Sequence, residues 1–182
     1  MSEATLGKAL LVLARNAIAA ELGANTAPAT THPDISKHGA CFVTLTQHGQ
    51  LRGCIGSLEA HRPLIDDVRA NAVAAAFEDP RFPPLGLMEL PRTKIEVSLL
   101  TAPEPLSFGD EADALARLRP YTDGVILEYG AHRATFLPQV WEQLPEPEVF
   151  ISHLKQKAGL PAHFWSPEIR LQRYGVQKWS ET

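Results

Sequence analysis

Arg52 and Cys54 stand two residues apart in the run Leu51-Arg52-Gly53-Cys54-Ile55-Gly56-Ser57-Leu58, a guanidinium and a thiol in an otherwise apolar stretch. On one face of a strand, two residue rises place them ~7 Å apart. At that range the cation would favour the thiolate, the nucleophilic form of cysteine. Glycines inside a strand mark a bulge, a bend or a close approach of something to the backbone. Gly53 and Gly56 are therefore candidate contacts for a ligand or partner. Further on, Asp79-Pro80-Arg81-Phe82-Pro83-Pro84 is a stiff, non-helical segment that can hold Arg81 and Phe82 in a fixed orientation. Arg81 is a candidate for holding a small anionic ligand, with Asp79 beside it. His61, close after the run, is the candidate base.

Two readings of these residues compete. In the first, Cys54 is a nucleophile or acyl carrier in a cleft, Arg52 stabilises the thiolate, Arg81 holds an anionic substrate and His61 takes the proton. In the second, Cys54 only packs, as free cysteine commonly does, and Arg52 pairs with a carboxylate such as Glu59, Glu78 or Asp79. The glycines and the Asp79–Pro84 segment would then form a rigid docking surface. The second is favoured because no complete catalytic constellation can be recognised: there is no local Ser-His-Asp pattern and no phosphate-binding or dinucleotide fingerprint. Seven histidines show no metal-ligand spacing and no cysteine pair lies at ligand distance, so no metal is expected. Nothing in the sequence names a cofactor. Gly53 to Gly56 also fits the spacing of a backbone-clamping RNA loop, but that loop joins helices in basic proteins.

The elements that must position these groups follow from periodicity. Leu6, Leu10, Leu13, Ala17 and Ala20 at helical spacing predict an amphipathic helix over 5–22, stopped by Gly23. A long loop over 24–39 leads to two strand-like runs, 40–46 and 51–58, joined about His48-Gly49 as a hairpin. With a two-residue turn, Val43 opposes Cys54, and Cys41 lies on the same face as Cys54. A one-residue change of register puts the thiols on opposite faces. Pro63 opens a helix whose apolar face is Leu64, Val68, Ala72, Ala75 and Ala76. It ends at Glu78-Asp79, because Pro80 disfavours helical geometry before it.

A strand over 94–101 and a short helix over 110–119 come next. A second hairpin (124–129 and 133–137) turns about Gly130-Ala131. A helical turn at Pro138, a helix over 147–158 and a closing strand over 168–174 complete the chain. Hairpins and lone strands with interspersed helices predict an α+β fold, with a mainly antiparallel sheet, flanking helices and a smaller helical subdomain.

Composition bounds the rest. A chain of 182 residues, 45% hydrophobic and 21% charged, suits one globular domain over 1–182, with a small lobe. A net charge of −4 argues against nucleic acid as a partner. Two cysteines, Cys41 and Cys54, fit free thiols in a reducing compartment. The start Met1-Ser2-Glu3-Ala4-Thr5 lacks a basic leader region, and no apolar run approaches the ~20 residues of a membrane span. A cytoplasmic protein with no membrane association is expected.

The residues also resemble a known family. The run Leu51–Leu58 is similar to the signature of the AMMECR family, called AmmeMemoRadiSam system protein A in bacteria. Ala76–Leu85, Lys94–Ser98, Phe136–Val140 and Lys157–Leu160 shortly before Trp165 match in order. The resemblance implies an α+β fold with an antiparallel sheet and a smaller subdomain. It also implies association with a Memo-type protein and a radical SAM protein, without implying an activity. Some family members carry a cysteine where this chain has Lys155, so a mechanism built on that second thiol does not transfer.

Overall fold

The computed structural model describes residues 3–182. Met1 and Ser2, on which the reading of a leaderless start partly rests, lie outside the described residues. The chain forms two compact units: one runs to Leu100 and includes Gln177–Thr182, and the other spans Thr101–Val176.

In the first unit, α1 (Glu3–Glu21) precedes a hairpin of β1 (Cys41–Gln47) and β2 (Gln50–Gly56). Helix α2 (Leu64–Phe77) follows, then a 3-10 turn over Leu87–Arg92 and strand β3 (Lys94–Leu100). Helices α1 and α2 bury their apolar faces with Cys41, Val43 and Leu45 of β1 and Ile95 and Val97 of β3. The expected face of α2 is buried throughout, from Leu64 to Ala76. On α1 the buried stripe runs through Leu6, Leu10, Leu13, Ala14 and Ile18, whereas Ala20 is exposed.

In the second unit come β4 (Glu104–Pro105), α3 (Glu111–Arg117), β5 (Gly124–Tyr129), β6 (His132–Phe136), a 3-10 turn over Pro138–Glu142, α4 (Pro147–Lys157) and β7 (Arg170–Tyr174). Its core stacks Trp141 on Phe150 with ring centroids 3.7 Å apart, and the Trp141 indole donates to the Asp123 carbonyl. Lys155 is buried there, its ammonium 2.9 Å from Glu111 and over the Trp165 ring. Its charge is therefore paired in the interior.

The last strand, β8 (Val176–Ser180), completes the first sheet in the order β2-β1-β3-β8, and the second sheet runs β4-β7-β5-β6. The α+β class with antiparallel sheets is borne out. The smaller unit, expected to be helical, carries a four-stranded sheet beside its helices. Among the described residues no helix is long and apolar enough to cross a membrane.

Candidate functional site

The site is set by how β2 pairs with β1. Gln47 pairs with Gln50 across a two-residue turn in which His48 and Gly49 both have positive φ, 51° and 77°. That is the mirror-image turn whose twist suits a hairpin. The register then slips by one residue: Thr46 opposes Leu51 but Leu45 opposes Gly53, so Arg52 is the extra residue of a β-bulge. As a result Thr44, not Val43, opposes Cys54. The expectation that a two-residue turn would leave both thiols on one face is thus overturned. Cys41 lies on the buried face and Cys54 on the other. The turn had the expected length, and the bulge displaced the register.

Each group then finds its neighbours. The Cys54 sulfur lies 3.3 Å from Thr44 Oγ1, and Cys54 is half-buried, whereas burial pushes the Cys41 thiol pKa well up. The Cys54 backbone N–H donates to Asp79 Oδ2 at 3.0 Å. The Arg81 guanidinium donates to both Asp79 oxygens at 3.0 and 2.7 Å, and reaches the Cys54 carbonyl at 3.4 Å. Asp79 is buried, and these donors, the Arg81 fork above all, hold its pKa well below the usual carboxylate range. The segment after Asp79 is pinned as well: Phe82 N–H donates to the Asp79 carbonyl and Leu85 N–H to that of Ala76. The expected proximity of the signature run and the Asp79–Pro84 segment is therefore present in bonded contact.

Arg52 turns elsewhere. Its Nε and Nη2 donate to the two oxygens of Glu89 at 3.1 and 3.2 Å, and among the described residues it makes no hydrogen bond to Cys54. The Phe82 ring centroid lies 5.9 Å from the Arg52 guanidinium carbon and 5.5 Å from that of Arg81. Both cations thus approach one aromatic ring within cation–π range. His61 is exposed in the loop after β2, with Nδ1 2.9 Å from the Glu59 carbonyl. Among the described residues no hydrogen bond joins it to Cys54. The glycines are approached by the chain itself: a side chain at Gly53 would meet the Ala75 carbonyl of α2, and one at Gly56 the Phe42 ring.

Sequence reasoning missed Glu89 and Thr44. Thr44 was readable as an outward position of β1, but only the bulged register places it against Cys54. Glu89 sits in a non-periodic 3-10 turn and gave no signal. It also accepts from Gly86 N–H at 2.8 Å and from Gln47. With the Arg52 fork as the largest cause, its pKa falls from the ordinary 4.5 to about 2. Glu89 therefore adds stability above about pH 4.5, and loses that contribution as pH falls through about 2. The stability gap between wild type and Glu89→Gln, read from urea midpoints, is expected to narrow over that window. A gap constant from neutral pH down to pH ~2 would refute the coupling.

A family model described as AMMECR1 matches residues 11–179 of the chain. The chain belongs to the AMMECR1 family. This AMMECR1 chain is 41% identical over 180 residues to a protein of Methanothermobacter thermautotrophicus, covering 96% of this chain and 94% of the other. It is 37% identical over 156 residues to a Methanocaldococcus jannaschii protein, covering 83% and 78%. The crystal structure of the uncharacterized protein PH0010 from Pyrococcus horikoshii matches with a TM-score of 0.77 at 32% identity. That match covers 96% of this chain and 91% of the other. Membership in AMMECR1 carries the fold, and the activity has to be argued from the site.

Proposed function

We propose that this AMMECR1 chain is a binding or accessory component that receives a partner on β2 and the Asp79–Pro84 segment, acting with a Memo-type and a radical SAM protein. The identity of those partners follows from what the family resemblance implies. The reading rests on Arg52 Nη1, a buried nitrogen with no hydrogen-bond acceptor among the described residues, although Nε and Nη2 of the same group are paired. Leaving a buried donor unpaired costs about 1–3 kcal/mol, and more for a charged group. An acceptor brought by a partner or a small anionic ligand would recover that cost. Phe82, half-buried against Arg52 and Arg81, is the side chain that would have to yield. Arg81, with over half of its side chain exposed, adds a planar donor fork for a carboxylate.

Co-purification of the full chain with the Memo-type and radical SAM proteins tests the reading. Wild type is expected to be captured, and Arg81→Ala, checked for an unchanged fold, to be captured at least ~10-fold less well. Undiminished capture of the folded variant would refute the docking surface.

The half-buried rather than buried state of Cys54 and the Thr44 hydroxyl at its sulfur favour a second reading, a cysteine-dependent enzyme with Cys54 as nucleophile. Cys54→Ala separates the two. Under the docking reading it loses about 1–2 kcal/mol of stability and keeps its partner-dependent process. Collapse of that process in well-folded Cys54→Ala would replace docking by catalysis.

A further inference from the structure

The first unit also carries a cleft of about 890 Å³ between the β1–β2 turn, the start of β3 and the C-terminal residues. Its volume lies in the range of small-molecule sites, roughly 300–1,000 Å³. Arg15 and Glu181 contribute to its lining and neutralise one another through two contacts of 2.6 Å, with Arg15 further held by the Thr93 carbonyl. Three other basic side chains line the same cleft: His48 on the left-handed turn, Arg92 at the end of the 3-10 turn and Lys94 at the start of β3. All three are exposed, and among the described residues none has an ion-pair partner. Lys94 is the cross-strand neighbour of Thr46, whose hydroxyl-bearing side chain also lines the cleft.

Most arginines of this chain are paired with a carboxylate, and the whole carries a net charge of −4. Two unpaired cations, Arg92 and Lys94, gathered beside an imidazole in one concavity of an acidic protein are therefore a local exception. They focus a positive potential where a ligand would enter. A guanidinium fork, an ammonium, an imidazole and a hydroxyl around one space suit a compact anion with several acceptor oxygens and more than one charge. The volume leaves room for an organic part. We propose that this cleft binds a small phosphorylated anion, at a site built from residues other than those of the docking surface.

Calorimetric titration of the full chain with inorganic pyrophosphate in ~0.15 M salt tests this, since that ionic strength screens loose surface attraction. Saturable one-site binding is expected, weakened at least ~10-fold by the double variant Arg92→Ala/Lys94→Ala. Both residues are exposed and unpaired, so the variant should melt at the wild-type temperature. Arg69→Ala removes an exposed cation of α2 outside the cleft and should leave binding unchanged. Three results would overturn the proposal: no saturable binding at that salt, an equal loss in Arg69→Ala, or citrate binding as tightly as pyrophosphate.

Discussion

Asp67→Ala is expected to lower the unfolding free energy by about 3–5 kcal/mol, the cost of removing one partner of a buried charged cluster. Asp67 is fully buried on α2, and four donors converge on its carboxylate. One oxygen accepts from Cys41 N–H at 2.9 Å and Asn71 Nδ2 at 3.1 Å, the other from Ser57 Oγ at 2.6 Å and Arg62 Nε at 2.8 Å. Arg62, one-third exposed, can return to water when the carboxylate is lost. The Cys41 amide cannot, and as a buried orphan it costs roughly 1–3 kcal/mol, whereas Asn71 keeps the Cys41 carbonyl and Ser57 Oγ as acceptors. The rest of the loss is that of the charge-assisted bonds, about 1.5–3 kcal/mol each. Asn is an incomplete remedy, because an NH2 in place of one oxygen faces the Cys41 and Asn71 N–H donors, and in place of the other it meets the Arg62 guanidinium beside Ser57. Set against a typical total of about 5–15 kcal/mol, either change removes a large share. Urea unfolding measures it, and a loss below ~1 kcal/mol for Asp67→Ala would show that the cluster is not a keystone of the unit.

Gly53→Ala is the second large effect, expected to cost about 3 kcal/mol, at the upper end for overpacking. The added methyl would meet the Ala75 carbonyl, which is helix backbone rather than a side chain that can rotate away. Either α2 shifts off the sheet or the bulge at Arg52 deforms, and both disturb Asp79 and Glu89. Gly49→Ala is the matched control. Gly49 has φ 77° with nothing within 4 Å, so only backbone strain, about 1–2 kcal/mol, opposes the methyl. Thermal melts of the two variants should therefore differ clearly. Equal losses would mean that the sheet and α2 are not in the close packing described.

The contrast between these glycines marks what could be read from sequence. Periodicity exposed α2 and its alanine face, because a helix needs only local spacing to declare itself. It also flagged Gly53 as a place of close approach, yet could not say that α2 of the same chain makes it. The bulge was beyond reach, since a slipped register exists only when two strands are laid side by side. Arg52 was expected either to stabilise the Cys54 thiolate or to pair with a carboxylate such as Glu59, Glu78 or Asp79, but its partner Glu89 lies 37 residues away on a turn with no repeating pattern. Strand β8 escaped because Gln177 and Lys178 break alternation, and because its Trp179 declares itself only by packing over Gly7 of α1. Division of the strands into two sheets likewise depends on pairings distant in the chain.

The clasp around Cys54 has a consequence for behaviour at high concentration. Strand β2 ends its sheet, so the Cys54 amide and carbonyl would otherwise be open to self-templating by another copy's strand. Asp79 takes the amide and Arg81 covers the carbonyl, so an incoming chain finds both groups occupied by a charged pair. Identical copies therefore meet a capped edge at the most glycine-rich strand, which disfavours strand-linked aggregation there.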